Sequence, residues 1–259
     1  MKKKLSKNGK IFVFVVCIFV VVLVVIALLP NMGDKKAIDE GRNYLKSLEK
    51  GNVNTVKSKI DEQNKKDEIA QARKMLAEKT TDQNKIWSSF KDYVLIGDSR
   101  VETFNVYLPK SNVLAKKGAR IETVDGYLPT IKSLNPKYVF ICFGLNDASI
   151  PVNWNEDKYV AKYESYLKKI QNVVPNATIY VNSILPVQAG PMKKHPFYSH
   201  LANYNVKLKA MCERDHYKYI DLSDLVETYP DGYEPDGEHF KVSFYKYWGY
   251  RLLQNIYGG

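Results

Sequence analysis

Apolar and polar positions divide the chain into three regimes. Residues 11–29, "IFVFVVCIFVVVLVVIALL", are apolar without interruption. Residues 33–85 are polar, charged and free of proline. From Trp87 onward, short apolar runs alternate with amphipathic stripes. The runs are "YVLIGDS" (93–99), "NVLAKKGARI" (112–121), "KYVFICFGLND" (137–147), "ATIYVNSILPV" (177–187) and "YKYIDLSDLV" (217–226). Between and after them, Val160, Tyr163, Leu167 and Ile170 recur at helical spacing, as do Leu201, Tyr204, Leu208 and Met211, then Tyr245, Trp248, Leu252 and Ile256. Nearly continuous apolar strands separated by amphipathic helices predict an α/β domain over 87–259, with a five-stranded parallel sheet covered on both faces. Sites in such sheets form at the carboxyl ends of strands, where Gly97-Asp98-Ser99 and Gly144-Leu145-Asn146-Asp147 both fall.

The polar regime predicts two helices, "AIDEGRNYLKSLEKG" (37–51) and a second over 52–79, with Gly51 as the break. Val53, Val56 and Ile60 share a face, but the stripe decays through Gln63 and Asp67. No heptad is sustained, which excludes a long coiled coil. Residues 31–86 read as a helical stalk with no chemistry to place on it.

Charge gives the first regime its meaning. The net charge is +11; Lys2, Lys3, Lys4, Lys7 and Lys10 carry five of those charges, leaving +6 on the remainder. That balance suits work near anionic polymer or lipid and lacks the basic clustering of a nucleic-acid binder. As a helix, residues 11–29 would extend about 29 Å, enough to cross a bilayer core. A cleaved signal peptide has a shorter apolar region and a small-residue cleavage site, whereas "LLPNMGDKK" follows here. The expectation is a basic cytoplasmic tail (1–10) and an uncleaved transmembrane anchor (11–30), with everything from Asn31 outside the membrane. Cys17, Cys142 and Cys212 show no paired or ligand-like spacing, so buried free thiols are expected, with no metal and no cofactor.

The candidate chemistry begins at Ser99. A serine hydroxyl attacks carbonyls only when a base takes its proton. His239 lies in "PDGEHF", three residues after Asp236, a spacing that lets the carboxylate accept from the ring Nδ1 and fix its tautomer. His195 and His200 sit in a Pro/Gly-rich loop without an adjacent acid, and His216 ends a polar helix. Three donors could meet an oxyanion: the Ser99 N–H, the Gly118 N–H and the Asn146 side chain. Taken singly, Ser99 also reads as a helix N-cap, Asn146-Asp147 as a turn pair and Asp236/His239 as a surface pair. Asp98 reads as a residue that holds the turn through backbone hydrogen bonds. For Arg100, a role in neutralising an anionic substrate and a solvated position at the helix start both remain open.

"GDS" after the first strand, a glycine after the second, "GLND" after the third and "DGEH" near the C-terminus together resemble the SGNH (GDSL-type) hydrolase family. The resemblance runs from Tyr93 to the C-terminus; GDSR stands where GDSL is commoner, and the second block is marked by little more than Gly118. It implies a three-layer α/β/α, flavodoxin-like fold and metal-independent ester chemistry. It assigns Ser99, His239 and Asp236 to a catalytic triad, and Ser99, Gly118 and Asn146 to an oxyanion hole. Combined with the anchor, it implies an esterase outside the cell acting on an acylated, chiefly O-acetylated, glycan of the envelope. Two alternatives stay open: an O-acetyltransferase working with a multi-pass membrane acyl-donor protein, and a glycan-binding module with a vestigial site.

Overall fold

The computed structural model describes residues 35–49, 55–64, 66–67 and 82–258. The basic tail, the anchor over 11–30, Cys17 and the break at Gly51 lie outside the described residues. Among the described residues no helix is long and apolar enough to cross a membrane. The chain divides at Lys65/Lys66 into two units. The first contributes the helix Lys35–Glu49 and a helix over 55–64, whose described side chains are exposed apart from the half-buried Val56.

The second unit is built on five strands: β1 (Tyr93–Gly97), β2 (Val113–Ala115), β3 (Tyr138–Cys142), β4 (Thr178–Asn182) and β5 (Lys218–Ile220). All pair in parallel in the order β2-β1-β3-β4-β5, with Leu95 opposite both Val113 and Phe140. Because strand side chains alternate, each strand feeds two cores. Val94, Ile96, Val139, Ile141, Ile179 and Val181 pack under the helices Val124–Leu134, Glu156–Val173 and His200–Asp215. Tyr93, Leu95, Tyr138, Phe140, Tyr180 and Ile220 pack on the opposite side against the helix Tyr245–Tyr257, together with Val101 and Phe104. The result is three layers. Trp248 is a fully buried anchor of the second core, its ring edge-on to Phe104 at 5.2 Å. Truncating it to alanine is expected to cost about 3–5 kcal/mol.

Several elements differ from the sequence pattern for physical reasons. The strands are shorter than their apolar runs because the run after β4 continues as a buried loop: Ser183 N–H donates to Ile220 O, and Ile184 N–H to the Asn205 side chain. After β5, Asp221 Oδ1 accepts from the Ser223 N–H at 2.9 Å and turns the chain into the helix Ser223–Thr228. The helix Val124–Leu134 presents Val124, Tyr127, Leu128, Ile131 and Leu134 to the core but holds Pro129 in its interior, which masks it in the sequence. The "Pro/Gly-rich loop" contains the helix Ala189–Lys194. A further helix, Gln83–Ser88, straddles the expected boundary at 86/87; Ile86 is buried in the second core and Trp87 stacks on Tyr107 at 4.4 Å.

From β1 the chain steps outward to β2, and β3 returns on the other side of β1. The connections leaving β1 and β3 therefore part at their carboxyl ends, opening a crevice there.

Candidate active site

β1 ends on Gly97, where a Cβ would lie 2.6 Å from the Cys142 carbonyl oxygen and 2.3 Å from Val101 Cγ2. Only glycine lets the turn settle this closely on β3. The next residue, Asp98, caps the helix Ser99–Glu102: its Oδ1 accepts from the Arg100 N–H at 3.0 Å, and its carbonyl accepts from Val101 and Glu102. This agrees with the role read for Asp98 and corrects the capping role read for Ser99. Burial raises the Asp98 carboxyl above its ordinary value, against the opposing influence of Arg100.

With the cap supplied by its neighbour, the Ser99 hydroxyl points elsewhere. Its Oγ lies 2.9 Å from His239 Nε2, a contact between residues 140 positions apart. Three residues upstream of the ring, Asp236 Oδ2 lies 2.7 Å from Nδ1. Asp236 Oδ1 accepts the backbone N–H groups of Glu238 and His239, both at 2.9 Å. Burial alone would raise the Asp236 carboxyl; the bonds from His239 and Glu238 outweigh it and hold the group below the usual carboxylate range. A charged carboxylate at Nδ1 assigns the proton to that nitrogen and leaves Nε2 to accept from Ser99. Hydroxyl, imidazole and carboxylate in that order can draw the proton from the hydroxyl as it attacks an electrophilic carbon.

The histidine loop is itself pinned. Glu234 N–H donates to the His239 carbonyl at 2.8 Å, and Gln188 N–H to the Gly237 carbonyl at 2.9 Å. The strongest tie comes from Arg100, which is 1% exposed. Its Nε donates to the Glu238 carbonyl at 2.9 Å, one terminal nitrogen to the Leu185 carbonyl and the other to the Pro186 carbonyl at 3.3 Å. Its guanidinium sits 5.4 Å from the Phe240 ring centre, and its own carbonyl accepts the Tyr245 hydroxyl at 2.6 Å. Both roles left open for Arg100 are thereby corrected: it is neither solvated nor free to meet an anion, but a strut between the Ser99 turn and the His239 loop. The one available signal was the arginine in GDSR, whose burial no local pattern encodes.

The candidate oxyanion donors lie on three connections. Asn146 follows β3, and its Nδ2 donates to the Ala119 carbonyl at 3.0 Å, using one of two amide protons. It is thus tied to the residue after Gly118. Gly118 is exposed with a φ of +73°, and a Cβ there would meet nothing within 4 Å. Its glycine answers a left-handed turn, not steric clearance. The first turn at Ser99 takes its bonds from the N–H groups of Arg100, Val101 and Glu102, outside the Ser99 N–H. Asp147, read as a turn residue, is fully buried; Oδ1 accepts from the Ile121 N–H at 3.3 Å, and burial pushes the carboxyl up to about 7.

The other histidines go elsewhere. His195 packs among Phe197 and Tyr198. His200, without an acid in its own stretch, finds Glu156 Oε1 3.2 Å from its Nδ1. His216 takes a φ of +62° at the end of its helix. Cys142 and Cys212 are buried free thiols.

Residues 95–247 match the model of a family described as the GDSL-like lipase/acylhydrolase family. No curated protein sequence matches the chain. Among solved structures, a GDSL-like lipase from Bacteroides thetaiotaomicron is similar at a TM-score of 0.51 and 14% identity, over 73% of this chain and 98% of that one. A lipase/acylhydrolase from Enterococcus faecalis gives 0.50 at 17% identity, covering 64% and 95%. A carbohydrate esterase family 3 protein from Talaromyces cellulolyticus gives 0.50 at 14% identity, covering 63% and 95%. At these identities the structural likeness speaks to the fold alone.

Proposed function

The chain belongs to the GDSL-like lipase/acylhydrolase family, and on that premise we propose that it is a membrane-tethered serine esterase that removes acyl groups, chiefly O-acetyl, from glycans of the cell envelope. The observation that carries the catalytic part is the alignment of Ser99 Oγ, the His239 ring and Asp236 Oδ2 through contacts of 2.9 and 2.7 Å.

In the proposed reaction, His239 Nε2 takes the Ser99 proton as Oγ attacks the ester carbonyl. Asp236 stabilises the imidazolium that forms. The Ser99 N–H, the Gly118 N–H and the unused Asn146 amide proton receive the oxyanion. His239 then returns the proton to the departing sugar hydroxyl, leaving an acyl-Ser99. Water, deprotonated by the same imidazole, releases the acid and restores the serine.

The substrate side draws support from the fold shared with a carbohydrate esterase. The tether draws support from the uncharged run 11–29 behind five lysines. The full chain, extracted in detergent, should turn over p-nitrophenyl acetate and react with a serine-directed phosphonate; Ser99→Ala should abolish both. Phosphonate labelling that survives Ser99→Ala overturns the reading. Acetate release that falls when an acceptor glycan is added would move the reaction from hydrolysis to transfer. Recovery of the expressed chain in the soluble fraction overturns the tether.

A further inference from the structure

Beyond Ser99, His239 and Asp236, one exposed aromatic is held firmly. The connection leaving Asn146 forms two one-turn helices, Asp147–Ser149 and Pro151–Trp154, and ends on Trp154, which is 42% exposed. The indole is fixed at its edge, where Nε1 donates to the Ala148 carbonyl at 2.7 Å. Its ring lies parallel to His200, 9° between planes and 5.7 Å between centres. His200 stacks in turn on Tyr204, and Tyr204 on the buried Tyr159 at 4.1 Å. Tyr204 also donates its hydroxyl to the Asn153 carbonyl at 2.8 Å. A ladder of rings thus runs from the core to the surface and ends on an indole.

A polar rim adjoins that ring. Glu156 Oε1 accepts from His200 Nδ1 and Asn203 Nδ2, both at 3.2 Å. The Glu156 carboxyl is held down to about 2 by its backbone hydrogen bond first, then by His200 and Asn203, so it stays charged. The platform is continuous with the candidate site: Ser149 Oγ donates to the Asn146 carbonyl at 2.7 Å, and Ala148 N–H to the Gly144 carbonyl at 3.0 Å.

Single exposed apolar residues are ordinary. A tryptophan locked by a hydrogen bond and a stacked partner is different, because it gives up little side-chain entropy when something covers it. A pyranose ring has the matching chemistry: an apolar C–H face for the indole and peripheral hydroxyls that can donate to a carboxylate. We propose that Trp154 and Glu156 form a sugar-stacking subsite that seats a pyranose unit of the glycan beside Ser99. This rests on the esterase reading above for its purpose, and its binding test does not depend on turnover.

The probe is cellohexaose, unmodified for binding and randomly O-acetylated for turnover. Calorimetry on the full-length Ser99→Ala chain in detergent should show binding that Ser99→Ala/Trp154→Ala loses by about tenfold or more. Trp154→Phe should keep part of it, and Leu45→Ala, at an exposed residue of the helix Lys35–Glu49, should keep all of it. Equal affinity with and without the indole overturns the subsite. So does equal loss in Trp154→Ala and Trp154→Phe. On the acetylated oligosaccharide, Trp154→Ala should raise KM with kcat little changed; a fall in kcat alone counts against stacking. If the wild-type chain binds cellohexaose through Trp154 yet hydrolyses no ester, the esterase reading fails and the subsite stands.

Discussion

Arg100 Nε donates to the Glu238 carbonyl at 2.9 Å, joining the residue after Ser99 to the residue before His239 across 138 positions of chain. A buried guanidinium spanning three carbonyls is a rigid spacer, and lysine cannot reproduce its planar fork. Arg100→Met should leave those carbonyls without their donor and destabilise the fold by roughly 3 kcal/mol or more. Arg100→Lys should restore part of the stability but not the geometry. We expect both variants to slow phosphonate labelling at Ser99 and to alter the pH profile of kcat. Labelling at the wild-type rate in Arg100→Met would remove Arg100 from the positioning of His239.

Asp236 is 49% exposed at its side chain, so its pairing with His239 adds little to global stability. Its expected contribution is to orientation and charge. Asp236→Asn should reduce kcat by about 10²- to 10⁴-fold while thermal unfolding stays near wild type. An unchanged kcat would show that the imidazole is oriented by its loop alone.

Asp147 makes the stability depend on pH. Burial is the main cause of its rise to about 7, Glu122 and Asp98 push the same way, and the Ile121 N–H and Lys162 oppose it. The folded chain therefore keeps a proton that an unfolded carboxyl, near ~3.9, has released. Stability tied to that proton is complete below about pH 4 and is lost as the pH rises through about 7. Asp147→Asn should remove this slope, the gap between variant and wild type growing across the window by up to about 4 kcal/mol. Urea unfolding at several pH values measures it; parallel curves for the two proteins would refute it.

Gly97→Ala would place a methyl 2.6 Å from the Cys142 carbonyl oxygen. Backbone cannot yield as a flexible side chain can, so β1 and β3 must separate or the Ser99 turn must shift. A loss of about 1–3 kcal/mol is expected, read as a lower midpoint in thermal unfolding. Activity should fall with it, because the shift carries Ser99 away from His239. Wild-type kcat in a destabilised Gly97→Ala would separate the turn from the catalytic geometry.

The layered sheet was legible at the level of residue pattern. Val94, Ile96, Val139 and Ile141 alternate with Leu95, Tyr138 and Phe140, and a strand apolar on both faces can be satisfied only between two helical layers. The stripes at Val160, Leu201 and Tyr245 marked three of the covering helices, since burial of one face repeats every turn. The helix Val124–Leu134 was not legible because Pro129 breaks the helical propensity. The end of β4 was hidden because a buried loop is as apolar as a strand, and that of β5 because Leu222, Leu225 and Val226 carry the apolar run into a helix. Asp236 and His239 were legible together because they stand at i and i+3, and a single turn suffices to join them.

What the chain alone determined is what short range can record: which faces are buried, and that a carboxylate precedes an imidazole. Only the tertiary structure decided that His239 faces Ser99, that Glu156 serves His200 and that Arg100 is a buried strut. The reason is physical. Apolar burial leaves a periodic imprint on neighbouring positions, whereas the partner of a charge or a hydroxyl is set by which distant segments the folded core brings within three ångströms.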